Sequence, residues 1–436
     1  MYLTGRAALL TAFGVVPVVL LSVLADVAAW AVVGGWLALS AVLAAVDVAF
    51  AADPRRLTVA RRIPRRARLG ERVETELWLA NAGTRRVRGL VRDAWQPTAG
   101  APDDRLRIDI PPGERRRLVV PLLPRRRGER TTEFVAVRSA GPLGLAGRQA
   151  RIDARGALRV LPPFASRRHL PSRIARLREL DGNTSVQVRG QGTEFDSLRE
   201  YVRGDDVRSI DWRATARAGT TMLRTWRPER DRHVVILVDT GRTSAARVGD
   251  GVRLDAAMEA ALLLSALASR AGDHVHLVMF DRVVRARVTG VDGPALLPAL
   301  VDAMAPVESQ LIDTDWDGAF AQVRALTSRP SLVVVLTAQD APESARGFLG
   351  SLGLVSRSAR LVVGSVTDTA LHELAAQRAT GEEVYRAAAV ERTLRDAAHV
   401  ASAIGRAGGD AIADTPEQLP PRIADRYLEL KAAGRL

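Results

Sequence analysis

Cysteine is absent from all 436 residues. That excludes disulfides, thiolate nucleophiles and Cys-ligated zinc or iron–sulfur centres. Aromatic residues make up only 4%, so the hydrophobic 47% is drawn chiefly from Ala, Val and Leu. Lysine occurs once, at Lys431, and Arg carries nearly all the positive charge. No Gly-x-x-x-x-Gly-Lys-Ser/Thr loop exists, which argues against ATP hydrolysis by this chain. Nor is there a Gly-x-Ser-x-Gly nucleophile elbow. The histidines are scattered at His169, His233, His274, His276, His372 and His399. His274 and His276 fall on one face of one strand, with no third ligand expected beside them. The acids Asp313, Asp315 and Asp317 lack the Gly and Glu of a calcium loop. Asp313 or Asp315 is expected to cap the helix that follows. Residues 190–192 (Gly-Gln-Gly) follow no buried strand and make a weak phosphate-loop signal.

Long uncharged runs are present at the N-terminus. Residues 7–25 form one of 19 residues, and residues 27–46 form another of 20, divided only by Asp26. A spanning helix needs roughly 20 apolar residues. The runs predict a transmembrane hairpin over 1–53, with helices about 7–25 and 27–49. A signal peptide ahead of a single anchor is the alternative, disfavoured because no polar segment separates the runs. Residues 55–68 carry Arg55, Arg56, Arg61, Arg62, Arg65, Arg66 and Arg68 without one acid. By the positive-inside rule both termini are expected in the cytoplasm, with two helices in the cell membrane. The net charge of +14 suits an anionic bilayer surface.

Residues 54–163 read as short strands between turns. Val73, Thr75, Leu77 and Leu79 alternate with Glu74, Glu76 and Trp78. Gly and Pro clusters near 83, 113 and 141–144 punctuate the pattern. A small all-β sandwich-like domain is expected. The Arg125, Arg126 and Arg127 run reads as a solvated turn. Residues 164–232 read as a connector.

From 233 to 436 strands alternate with helices. Residues 233–239 (His-Val-Val-Ile-Leu-Val-Asp) form an apolar run that suits a strand buried on both faces. Similar runs follow near 274–280, 331–336 and 361–366, and residues 284–288 suit an edge strand. This alternation predicts an α/β doubly wound sheet, in which ligands sit at the carboxyl ends of strands. Asp239 is the first candidate there.

At Asp239 the element order resembles a von Willebrand factor A-like domain, whose metal-ion-dependent adhesion site begins Asp-x-Ser-x-Ser. Here the loop reads Asp239, Thr240, Gly241, Arg242, Thr243. The resemblance implies that Gly241 replaces the first Ser and Thr243 the second. It makes Thr314 the later Thr and puts Ala338 where an Asp is usual. A site so depleted is degenerate, since Mg²⁺ wants about six oxygens. No cofactor is expected; weak Mg²⁺ binding would use Asp239, Thr243 and Thr314. Arg242 could supply positive charge in place of a metal.

Upstream, acids and arginines interleave around Tyr201, Arg203, Gly204, Asp205, Asp206, Arg208, Asp211, Trp212 and Arg217. This stretch resembles the signature of the domain of unknown function fifty-eight family. The hairpin, the 141–145 turn and the Tyr427–Lys431 stretch resemble it too. The resemblance implies association with a MoxR-type AAA+ ATPase and with other membrane or envelope proteins. Read physically, the signature is either an ion-pair-laced segment pinned to the sheet or a docking surface, and one segment can be both. The expected function is a non-catalytic, membrane-anchored protein-interaction scaffold. The alternative is a metal-assisted hydrolase using Asp239 with Asp205 and Asp206. Nucleic-acid binding is not expected, because no basic patch is interleaved with aromatics.

Overall fold

A computed structural model describes residues 1–24, 27–102, 105–187, 194–203, 205–227, 232–249 and 251–436. The chain divides into two compact units, residues 1–161 and 162–436.

The first unit opens with α1 (Gly5–Leu24) and α2 (Ala29–Phe50). Both are long and apolar enough to cross a membrane. Their sides are bare: Trp30 is 80% exposed. The helices approach closely at Gly14, where an added Cβ would overlap the Trp36 ring. Trp36 Nε1 donates to Leu10 O across the pair at 3.0 Å. Asp26, at the joint, lies outside the described residues.

Strands longer than three residues follow as β1 (Leu57–Arg62), β2 (Val73–Asn81), β3 (Val87–Trp95), β4 (Leu106–Ile110), β5 (Arg115–Leu122), β6 (Gly128–Ala140) and β7 (Ala146–Leu161), and the short Arg66–Arg68 pairs parallel with β7. One antiparallel sheet runs β1-β2-β5, and a second runs β7-β6-β3-β4. Leu77 and Leu79 of the first sheet share a core with Val87, Val91, Ile108, Ile110, Val135 and Val137 of the second. Period-two alternation sends these side chains inward and their neighbours outward. A buried ion pair, Arg61–Asp93 at 2.7 Å, joins β1 to β3. Arg125 and Arg126 are exposed, but Arg127 is buried. The expected solvated turn therefore holds only for the first two.

Both ends of the hairpin are fastened to this β-structure. Ahead of α1, Tyr2–Leu3 pairs with the start of β7. At the far end Asp47 is fully buried. Its carboxylate accepts N–H bonds from Leu143 (2.7 Å), Leu145 (2.7 Å) and Ala146 (2.8 Å). The 141–145 turn thus folds around one carboxylate, a charge-assisted arrangement stronger than neutral bonds.

The second unit begins with α3 (Leu170–Gln187), then a hairpin of β8 (Glu194–Glu200) and β9 (Met222–Arg227) enclosing α4 (Trp212–Ala218). The connector expected here thus holds strands that its polar composition conceals. The main sheet comprises β10 (His233–Asp239), β11 (His274–Phe280), β12 (Val284–Val288), β13 (Leu332–Leu336), β14 (Arg360–Val366) and β15 (Gly409–Asp414). Its order is β12-β11-β10-β13-β14-β15. All neighbours are parallel except the edge strand β12.

Helices cover both faces. Val235 and Leu237 pack with α7 (Trp316–Leu326), α8 (Arg346–Ser351) and α9 (Gly381–Arg406) through Phe320, Phe348 and Val400. On the other face α5 (Arg253–Arg270) packs against α6 (Leu296–Met304), α10 (Leu419–Ala432), β10 and β11. From β10 the chain builds outward first through β11 and later through β13. The strand order reverses there, leaving a crevice at the carboxyl ends of β10 and β13.

Candidate functional site

Asp239 ends β10 at that crevice and is 2% exposed. Four donors converge on its carboxylate. Oδ1 accepts from Gly241 N–H at 2.8 Å and Thr314 Oγ1 at 2.5 Å. Oδ2 accepts from Thr243 Oγ1 at 3.0 Å and Thr337 Oγ1 at 2.6 Å. Gln339 Nε2 in turn donates to Thr337 Oγ1 at 3.0 Å. The structure therefore gathers Asp239, Gly241, Thr243 and Thr314, and adds Thr337, which the sequence reading passed over. Ala338 is buried beside it and offers no oxygen. A Cβ on Gly241 would overlap Thr314 Oγ1, so glycine is what lets the threonine reach the carboxylate. Arg242 pairs with Asp313 at 3.0 Å, with both side chains exposed. That pairing replaces the role of stand-in cation expected for Arg242.

A second buried acid lies beside the first. Asp281 is fully buried after β11 and accepts from Arg285 Nε (2.7 Å), Arg282 N–H (2.6 Å), Val283 N–H (3.2 Å) and Thr240 Oγ1 (3.0 Å). Burial pushes its carboxyl up. Arg285 and these other donors outweigh burial and hold it below the usual carboxylate range. Asp315 caps α7 through Gly318 N–H, as the sequence allowed, while Asp313 does not.

The signature between β8 and β9 is a chain of caps. Asp206 accepts from Arg208 N–H and starts a short turn. Asp205 binds Arg199 at 2.7 Å and Val202 N–H at 3.0 Å. Those two bonds hold its carboxyl low, the Arg199 bond most of all. Asp211 caps α4 through Arg213 and Ala214 N–H, both at 3.0 Å, and binds Arg224 at 2.7 Å. Its carboxyl too is lowered, first by the Ala214 N–H and then by Arg224. Gly219 closes the helix at φ 72°, donating to Thr215 O. Thr215 Oγ1 accepts from Met222 N–H at 2.9 Å and fastens helix to strand. Tyr201 is half-buried, and its N–H donates to Thr221 O.

Beside these caps and the exposed Glu200, the surface carries exposed apolar and cationic side chains. Trp212 is 70% exposed, Val202 61% and Val207 62%. Arg203, Arg208, Arg213 and Arg217 are exposed, and none makes an ion pair among the described residues. Gly204 lies outside the described residues, as do residues 190–192 and the side chains of Glu194 and Asp196. No hydrogen bond among the described residues joins Asp205 or Asp206 to Asp239.

At the opposite end of the sheet, His233 supplies the third histidine the sequence did not place beside His274 and His276. His233 Nδ1 lies 2.9 Å from His276 Nε2, and His274 stacks on His233 at 5.3 Å between centroids. Parallel pairing puts His233 opposite His274. Burial, then His233 and His274, hold the His276 imidazole below its usual value. Among the described residues no cluster of three His, Asp or Glu side chains is arranged to hold a metal ion.

Residues 197–397 match the family described as "Protein of unknown function DUF58". No curated protein matches the sequence. Among solved structures, proximal thread matrix protein 1 from the mussel byssus is similar at 12% identity and TM-score 0.27, over 47% of each chain. Alpha-2-macroglobulin from Salmonella is similar at 16% identity and TM-score 0.20, over 24% of this chain and 7% of that one. The beta-glucosidase from Listeria innocua is similar at 11% identity and TM-score 0.18, over 24% of this chain and 16% of that one. The chain thus spans less than half the length of each.

Proposed function

We propose, from the premise that the chain belongs through residues 197–397 to the family of proteins of unknown function DUF58, that it is a membrane-anchored, non-catalytic docking protein. Its hairpin crosses the cell membrane with both termini in the cytoplasm. Its α/β unit is von Willebrand factor A-like and engages an acidic face of a MoxR-type AAA+ ATPase in envelope-related assembly. The observation that carries this reading is Trp212, 70% exposed at the first turn of a helix capped by Asp211. An exposed Trp on a capped helix, in a segment whose Arg203, Arg208, Arg213 and Arg217 make no ion pair among the described residues, has the composition of a binding hot spot.

The Asp239 cluster supports recognition over chemistry. A Mg²⁺ ion wants about six oxygens and a free carboxylate lone pair, whereas each Asp239 oxygen already accepts two hydrogen bonds and Ala338 brings no second carboxylate. Thr314 fills the space beside Gly241 that a larger side chain would take. The residues present do not fit the metal, and the cluster satisfies itself as a structural knot. This weighs against the hydrolase reading as well, because Asp205 and Asp206 are spent on capping.

The sidedness rests on charge. Both ends of the hairpin meet the same β-structure, and the segment after α2 is Arg-rich.

The test is binding of the purified MoxR-type ATPase from the same organism to the detergent-solubilised chain. Trp212→Ala is expected to weaken binding by about thirtyfold or more. Arg208→Gln with Arg217→Gln should weaken it and flatten its salt dependence. Wild-type binding that Trp212→Ala leaves unchanged would overturn the reading.

A further inference from the structure

The strongest unassigned feature lies where α2 leaves its apolar stretch. A cavity of about 320 Å³ is lined there by Asp53, Arg56, Asn81, Thr84, Arg85 and Arg148. We propose that it binds the phosphate of an anionic phospholipid headgroup. The inference rests on the reading of the hairpin as membrane-spanning.

Three guanidiniums meet at this cavity, and none has an ion-pair partner among the described residues. Elsewhere in the same unit comparable arginines are paired: Arg61 with Asp93, Arg86 with Asp109 and Arg117 with Glu76. The one acid in the lining, Asp53, accepts from Arg55 N–H. The site therefore keeps a surplus of positive charge.

The guanidiniums are held in place. Arg85 Nη1 donates to Ala49 O at 2.7 Å, and its head lies over the Phe50 ring at 5.5 Å. Arg148 Nε donates to Val48 O at 3.0 Å. Each thus caps carbonyls at the end of α2 with one N–H and retains others for a ligand. The loop beneath is fixed by Asn81, which binds Arg85 O and Ile110 O at 2.9 Å and receives Gly83 N–H at 2.9 Å. Planar donors held in this way match phosphate oxygens.

Position selects the source of the phosphate. Phe50 is 61% exposed at the last turn of α2. The 22 residues of that helix rise about 33 Å, close to the hydrocarbon thickness. The cavity then opens at headgroup height, where anionic lipids concentrate.

The test uses the full chain, delipidated in mild detergent, with lipid binding read by native mass spectrometry. Phosphatidylglycerol is expected to bind about tenfold tighter than phosphatidylcholine. Arg56→Gln removes no side-chain hydrogen bond or ion pair among the described residues and should erase much of that preference. Arg56→Gln with Arg148→Gln should erase it fully, and Arg125→Gln, a surface control, should not. Equal binding of both lipids by a chain that resists carbonate extraction from membranes would overturn this inference and leave the spanning hairpin standing. Release of the chain by carbonate would overturn the spanning reading, and with it this one. Inorganic phosphate that displaces phosphatidylglycerol at equal concentration would show a site for soluble phosphate and overturn the lipid assignment.

Discussion

The Asp239 side chain is buried in the crevice, and it is tolerable there because three hydroxyls and one amide point at it. Removing the acceptor leaves those buried donors unsatisfied. Asp239→Ala is expected to cost about 2–4 kcal/mol in chemical denaturation. Addition of Mg²⁺ should not raise the midpoint of the wild type. Asp281 gives a pH signature. Its carboxyl is held low in the folded chain, against an unfolded value of about 3.9. Its contribution is therefore complete above that value and fades as pH falls through the folded value. Asp281→Asn should lower the denaturation midpoint at pH 7 and differ less from wild type near pH 2. An equal loss at both pH values would contradict the assignment. The sequence made part of the Asp239 cluster legible, since Asp239, Thr243 and Thr314 come from loops of recognisable order. Thr337 escaped because the missing carboxylate was sought at Ala338, one residue later, where the strand turns side chains the other way. His233 escaped because its neighbours come from β11, and only strand pairing brings them together.

Among the elements, α10 explains why the lone lysine sits where it does. Lys431 Nζ donates to Asp273 Oδ1 at 3.0 Å, and Tyr427 Oη donates to Oδ2 at 2.5 Å. All three side chains are buried, at 7% exposure for Lys431 and 2% for Asp273. The helix is thus fastened to the loop after α5. Lys431→Met strands a buried carboxylate and should cost about 3–5 kcal/mol. Adding Asp273→Asn, which still accepts from Tyr427, should restore most of the loss in the same denaturation assay. Additive losses would contradict the pairing. Strands and helices of the α/β sheet were readable because buried parallel strands are continuous apolar runs and their helices are long. The β8–β9 hairpin was not readable. Its strands are polar, and its turns depend on side-chain caps from Asp206 and Asp211 that periodicity does not register.

At the scale of the whole molecule, the apolar hairpin and the proposed docking surface belong to different compact units. The hairpin is integral to its own unit, because Asp47 of α2 holds the 141–145 turn. Removing residues 1–53 should therefore do more than release the chain from membranes. It should leave three N–H groups, that of buried Ala146 among them, without their acceptor and make the β-strands of that unit sensitive to limited proteolysis, while unit 162–436 stays resistant. In the proposed function Trp212 meets a protein in the cytoplasm. A photo-crosslinking residue placed at position 212 in native membranes tests this most directly. The expected result is a mass-identified crosslink to an acidic patch of the AAA+ ATPase, lost when Arg203, Arg208 and Arg217 are changed to Gln. Crosslinks confined to lipid, or none above those of the same probe at exposed Tyr385, would contradict it.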